Sequence, residues 1–155
     1  MPYGQKFGFV LGAVNLEKII VTPLSRIKTE GGDVLHAMKY SDLGFTKFGE
    51  AYFSEIYFGQ IKAWKRHKLM TLNLVVPTGK VKFVFFENSE GGSLNFRTEE
   101  IGEDSYSRIT VPPSIWFGFK GMAKPKSIVL NLASEVHDPN EVDRVDQVEF
   151  SYNWS

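Results

Sequence analysis

The chain contains no cysteine, which excludes disulfides, thiol catalysis and thiolate metal sites and fits a reducing compartment. It also lacks a net charge, since 18 Lys and Arg balance 18 Asp and Glu. A neutral chain has no global field to recruit a polyanion, so no nucleic-acid partner is expected. No apolar run approaches the roughly 20 residues that a membrane helix needs. Residues Met1 to Leu16 hold one short apolar patch, Phe9-Val10-Leu11, and no signal-peptide pattern. The expectation is a cytoplasmic protein with no membrane partner. Long amphipathic helices, internal repeats and low-complexity segments are missing as well; Val34 to Lys39 could form one helical turn.

What remains is strand after strand. At 155 residues and 17.6 kDa the chain forms a single domain, 1–155, with a sizeable core. Its 13 Phe and 3 Trp favour pleated structure. Runs at 19–22, 52–58, 69–76, 80–86, 108–111, 116–119 and 127–132 read as strands, with a last one at 148–154. Gly31-Gly32-Asp33, Gly59 and Pro77-Thr78-Gly79 punctuate them, and 87–95 reads as a hairpin tip. Many short strands with Gly and Pro turns make an all-β jelly-roll sandwich or barrel.

Lys62 to Lys68 is the unusual stretch: Lys62, Lys65, Arg66 and Lys68 crowd around Trp64 and His67. On a regular strand Ile61, Ala63, Lys65 and His67 share one face, and Lys62, Trp64, Arg66 and Lys68 the other. Such a run suits a phosphate or pyrophosphate site; it equally suits an edge strand whose lysines block aggregation. An RNA-binding sheet would use the same run but wants a broader positive face. His67 stands out from His36 and His137 because neighbouring cations would keep it neutral near pH 7, the form a general base needs. Asn73 and Asn131 interrupt apolar runs and must satisfy their amides with backbone or a ligand. His137-Asp138-Pro139-Asn140-Glu141 reads as an Asx-type turn, and Gly91-Gly92 lacks the context of a phosphate loop.

In order along the chain, Gly59-Gln60-Ile61-Lys62-Ala63-Trp64, Gly79-Lys80-Val81, Ile109 to Phe119 and Glu141-Val142-Asp143-Arg144 resemble the dTDP-4-dehydrorhamnose 3,5-epimerase type of cupin. The likeness spans Tyr52 to Trp154 and is loose over residues 16–50. It implies a cupin jelly roll, a homodimer, a nucleotide-sugar substrate, and a protein using no cofactor and no metal. Metal-binding cupins would carry histidines at 65 and 67, a glutamate near 71 and a histidine near 117; here these are Lys65, His67, Thr71 and Phe117. The family's catalytic set departs too. Lys65 stands where the base histidine belongs, Asn131 falls near the tyrosine, Met70-Thr71 near the lysine, and the orienting aspartate lies beyond this chain's end. Lys65-Arg66-His67-Lys68 is also similar to the His-x-His-Lys segment of sugar-nucleotide 3,4-ketoisomerases, matching the second histidine and the lysine.

Both likenesses imply enolisation beside a 4-keto sugar. The expected roles are His67 as base, Lys65 or Lys62 at the enolate oxygen and Tyr57 as acid. Trp64 or Trp116 would lie against the nucleotide, and Arg26, Lys62, Arg66 or Lys68 would meet its phosphates. Asn73 and Asn131 complete the expected substrate contacts. The alternatives are a ketoisomerase and a non-catalytic cupin that binds a sugar nucleotide.

Overall fold

The computed structural model describes residues 16–88 and 94–155; Phe9-Val10-Leu11, Gly91-Gly92 and the tip of the hairpin around them lie outside these. The strands are β1 (Ile20–Pro23), β2 (Arg26–Ile27), β3 (Val34–Leu35), β4 (Glu50–Tyr57), β5 (Ile61–His67) and β6 (Leu72–Thr78). They continue with β7 (Lys80–Asn88), β8 (Leu94–Gly102), β9 (Ser107–Val111), β10 (Trp116–Gly121), β11 (Lys126–Ala133) and β12 (Val142–Arg144). Two five-stranded antiparallel sheets face each other, in the orders β1-β9-β6-β11-β4 and β12-β5-β10-β7-β8; β2 and β3 form a separate ribbon. This is the expected jelly roll.

Alternation along the strands explains the core. Leu72, Leu74 and Val76 from β6 meet Phe83 and Phe85 from β7 and Phe117 and Phe119 from β10, all buried between the sheets. A second apolar layer forms on the outer face of β5, β7 and β10. There Trp64, Val84, Phe86 and Trp116 lie under Val145, Phe150, Tyr152 and Trp154 of the C-terminal segment.

Three expectations change. Residues 34–39 form no helical turn, because Val34 and Leu35 pair with Ile27 and Arg26. Residues 148–154 add no strand; a 3-10 turn at Gln147–Glu149 lets the segment lay its aromatic rings on the sheet instead. The edge strand after the last core strand is β12, three residues from the polar corner that pair with Lys65, Arg66 and His67. The Asx-type turn before it forms as expected, with Asp138 Oδ1 accepting from the Asn140 amide at 2.9 Å.

One irregularity sets up the site. Phe119 pairs with Lys62 and Phe117 with Lys65, so two steps on β10 oppose three on β5. This bulge reverses the alternation between Lys62 and Lys65. Gly118 lies opposite it, and a side chain there would meet the Ala63 β-carbon at 2.5 Å.

Candidate active site

Because of the bulge, Lys62 and Lys65 share the inward face with Phe117 and Phe119, against the strict alternation expected from the sequence. They open onto a cavity of about 460 Å³ between the sheets. Its opposite wall is Tyr52 and Ser54 from β4 and Asn131 from β11, and Arg144 and Val145 close one side. Asn131 is held in place by its side-chain amide, which donates to Ser54 Oγ at 3.0 Å and to the Val129 carbonyl at 3.2 Å.

Three cations thus converge on one cavity whose lining side chains include no carboxylate. Lys62 Nζ donates to the Glu55 carbonyl at 2.6 Å. Lys65 Nζ sits 5.2 Å from the centre of the Phe117 ring and has no carboxylate within ion-pair distance among the described residues. Burial, followed by the charges of Arg144 and Lys62, pushes the Lys65 ammonium down to about 8; Glu141 opposes them weakly.

His67 lies two residues beyond Lys65 on the same face, its ring centre 6.4 Å from that of Phe117. Its Nδ1 is 2.7 Å from Glu141 Oε1. Glu141 Oε2 accepts from the amides of Leu69 and Met70 at 2.9 and 2.8 Å. Burial pushes the Glu141 carboxyl up, but these hydrogen bonds outweigh it and hold the group below its ordinary value. An ionised Glu141 accepts a hydrogen bond from Nδ1–H, leaving Nε2 as the basic nitrogen. That Nε2 is buried and has no partner among the described residues. Burial lowers the His67 pKa more than the Glu141 hydrogen bond raises it, with Lys65 and Arg144 adding to the fall, so the ring is neutral at pH 7. Burial, rather than the neighbouring cations expected from the sequence, is the larger cause.

The remaining expected residues lie elsewhere. Tyr57 points outward and is exposed, because β4 buries Ile56 and turns Tyr52 and Ser54 inward with it. The tyrosine on the cavity wall is Tyr52, whose hydroxyl pKa is raised by burial and by Glu50. Trp64 is buried in the outer layer, its Nε1 donating to the Gln147 carbonyl at 3.1 Å, although it also borders the cavity. Trp116 is buried beside it under the Arg66 guanidinium, 4.7 Å from the ring centre. Arg66 pairs with Asp143 at 2.8 Å, and Lys68 reaches the same carboxylate at 3.6 Å. Arg26 pairs with Asp33 on the β2–β3 ribbon. Asn73 faces away from the cavity, binding Thr110 Oγ1 at 2.5 Å and the Gly44 carbonyl at 3.0 Å.

Sequence reasoning missed Tyr52, Glu141 and Arg144 as members of one site. Counting alternate residues back from Ile56 finds Tyr52. Glu141 and Arg144 reach the site only because β12 pairs with β5, a contact across about 75 residues that no local pattern announces.

Among the described residues no three His, Asp or Glu side chains gather as a metal site, and no helix is long and apolar enough to cross a membrane.

No protein-family model matches the chain. A crystal structure of a dTDP sugar isomerase from Desulfovibrio desulfuricans G20 superimposes with a TM-score of 0.80 at 34% identity, covering 87% of this chain and 90% of that one. A sugar 3,4-ketoisomerase from Thermoanaerobacterium thermosaccharolyticum, in complex with TDP, shares the fold with a TM-score of 0.70 at 18% identity, covering 84% and 90%. A probable low-salt glycan biosynthesis epimerase from Haloferax volcanii is 29% identical over 98 residues, 60% of this chain; the match spans 62% of that protein, less than two thirds of its length.

Proposed function

The chain belongs to the dTDP-sugar isomerase family, and from that premise we propose that it is a cytoplasmic isomerase or epimerase acting on a nucleotide-linked 4-keto-6-deoxy sugar. It would work by enolisation beside the ketone, in deoxysugar or surface-glycan biosynthesis. The observation that carries this reading is a cavity lined by three cations and no carboxylate, with a neutral, carboxylate-held His67 next along β5 beside the wall residue Phe117.

In this reading His67, oriented by Glu141, takes a proton from the carbon next to the carbonyl. The charge that develops on the carbonyl oxygen faces Lys62 or Lys65, cations already fixed at the cavity wall. Tyr52, whose hydroxyl pKa is raised from its ordinary value, returns a proton. Arg144 and Lys62 are the cations facing the cavity for the diphosphate. Arg26, Arg66 and Lys68, each tied to a carboxylate outside the cavity, are left with structural roles.

Reprotonation on the opposite face of the same carbon inverts it; delivery to the carbonyl side moves the ketone. The ketoisomerase reading draws support from the shared fold, and the epimerase reading from the curated relative. The test is to incubate the protein with dTDP-4-keto-6-deoxyglucose and follow the sugar protons by NMR. A new epimer or a shifted ketone supports the reading; tight nucleotide binding with an unchanged sugar leaves a binding cupin in its place.

We also propose a homodimer formed along β4. That strand ends its sheet and presents Phe53 and Tyr57 outward, 67% and 62% exposed. A monomeric mass by light scattering at micromolar concentration would remove this element.

A further inference from the structure

We propose that the side-chain carbonyl of Asn131 accepts a hydrogen bond from a ring hydroxyl of the bound keto sugar, and that this contact sets a preference for hydroxy over deoxy sugars. This rests on the proposed keto-sugar function and deepens it by naming a group that the site recognises.

Asn73 and Asn131 both interrupt apolar runs, but the fold leaves them in different states. Asn73 is satisfied at both ends of its amide: Nδ2 donates to the Gly44 carbonyl at 3.0 Å, and Oδ1 accepts from Thr110 Oγ1 at 2.5 Å. Asn131, only 4% exposed, is satisfied at one end. Its Nδ2 donates to Ser54 Oγ at 3.0 Å and to the carbonyls of Val129 and Tyr52 at 3.2 and 3.4 Å. A carbonyl only accepts, so Val129 and Tyr52 require the nitrogen and fix which way the amide points. Oδ1 is the other end of the same plane, and it accepts from no group among the described residues. Unlike His67 Nε2, it is not sealed from solvent. The space it meets is the cavity whose wall Asn131 forms.

An acceptor held open in a cavity that a ligand will fill must find its donor in that ligand or cost affinity. The cavity restricts what the donor can be. Lys62, Lys65 and Arg144 face it and no carboxylate lines it, so an ammonium there would be repelled. The donor is therefore neutral, an O–H or an imide N–H. Position selects the O–H. Asn131 pairs with Tyr52 across β11 and β4 and is bonded to Ser54, on the wall opposite Lys62 and Lys65. In the proposed reaction the ketone oxygen faces those lysines and Tyr52 returns a proton, so the sugar ring lies between the two walls. A hydroxyl of that ring is the donor Asn131 meets. The nucleobase, joined through the diphosphate, is the far end of the substrate.

The contact discriminates because the oxygen is preset. The bonds on Nδ2 hold the amide before the sugar arrives, so little side-chain freedom is lost on binding. They also prevent the amide from turning to another donor when the hydroxyl is missing. A deoxy sugar then leaves the acceptor unpaired, which is the arrangement that rejects a substrate most strongly. The chain therefore acts on its sugar before any reaction that removes the hydroxyl Asn131 reads.

The test is a cycle of variants against substrate analogues. Wild type, Asn131→Ala and the similar-sized Asn131→Leu, their folding checked by thermal melts, are incubated in D₂O with dTDP-4-keto-6-deoxyglucose and with its 2-deoxy and 3-deoxy counterparts. Deuterium uptake beside the ketone gives kcat/KM, and calorimetry gives the Kd of each sugar nucleotide and of dTDP. Removing an oxygen also changes C–H acidity, but equally for every protein, so the ratio between proteins isolates the contact. The wild type should lose about tenfold or more in kcat/KM on one of the deoxy sugars. The variants, slowed by a similar factor on the parent sugar, should treat that pair alike within about threefold, and dTDP should bind all three proteins equally. Wild-type ratios near one for both deoxy sugars overturn the proposal and leave the keto-sugar reading standing, whether or not the variants fold. A variant loss that is the same on parent and deoxy sugars marks a structural residue and also overturns it. A loss of dTDP affinity in the variants overturns it by assigning Asn131 to the nucleotide. Binding of the sugars without deuterium uptake removes enolisation, and the same ratios taken from Kd still decide Asn131. No binding of any sugar nucleotide removes both.

Discussion

Glu141 grips His67 and the backbone beyond it at once: one carboxylate oxygen is 2.7 Å from His67 Nδ1, and the other accepts from the amides of Leu69 and Met70. The turn that follows β5 and the tautomer of the imidazole are therefore fixed by the same group, delivered by the turn that precedes β12.

Glu141→Gln tests that arrangement. Glu141 favours the charged imidazolium, so its removal lowers the His67 pKa further. The acid limb of kcat/KM should move to lower pH, and kcat should fall about 100-fold as the ring loses its orientation. A purely structural role would lower the melting temperature and leave the limb where it was.

Tyr52 and Tyr57 lie on one strand with opposite faces, which makes a paired experiment. Tyr52→Phe should lower kcat by about 100-fold, with KM changed less. Tyr57→Phe, at an exposed outward position, should leave steady-state kinetics within about twofold of wild type. Equal losses would mean that the cavity is not where the chemistry happens.

Lys65→Met should stabilise the fold while abolishing activity. The folded Lys65 pKa, about 8, is below the 10.5 of the free side chain. At pH 7 both states hold the proton, and the buried ammonium costs stability; between about 8 and 10.5 the unfolded chain alone holds it, so stability recovers as pH rises. The variant should gain about 1–3 kcal/mol at pH 7, with the gain vanishing above about pH 10.5. Denaturant melts at pH 7, 9 and 10.5 measure it.

Gly118→Ala tests the bulge. The new methyl would lie 2.5 Å from the Ala63 β-carbon, so β5 must shift, at a cost of about 1–3 kcal/mol. Lys62 and Lys65 move with it, and nucleotide affinity should fall about tenfold or more by calorimetry. Unchanged affinity would show that the bulge does not set the cation geometry.

The strands were legible because short runs rich in apolar, strand-forming residues lie between Gly and Pro turns, as at 72–78 and 80–88. The site was legible only in part. Lys65 and His67 could be found from their crowding, and Asn131 from its place in an apolar run. Trp64 and Trp116 misled because aromatics beside cations look like a nucleotide platform; here the cations close over a second core whose other half is the C-terminal segment. Lys62 was assigned to the wrong face because strict alternation cannot foresee a bulge. Glu141 and Arg144 depend on long-range pairing, which the local pattern does not encode.

The most direct test of the account is deuterium incorporation. Protein and dTDP-4-keto-6-deoxyglucose are incubated in D₂O, and the sugar is read by mass spectrometry against a no-enzyme control, with His67→Ala alongside. The account predicts solvent deuterium on a carbon next to the ketone in the wild type and at least a 100-fold slower uptake in His67→Ala. No uptake from a sugar nucleotide that binds, or uptake unchanged without His67, would contradict it.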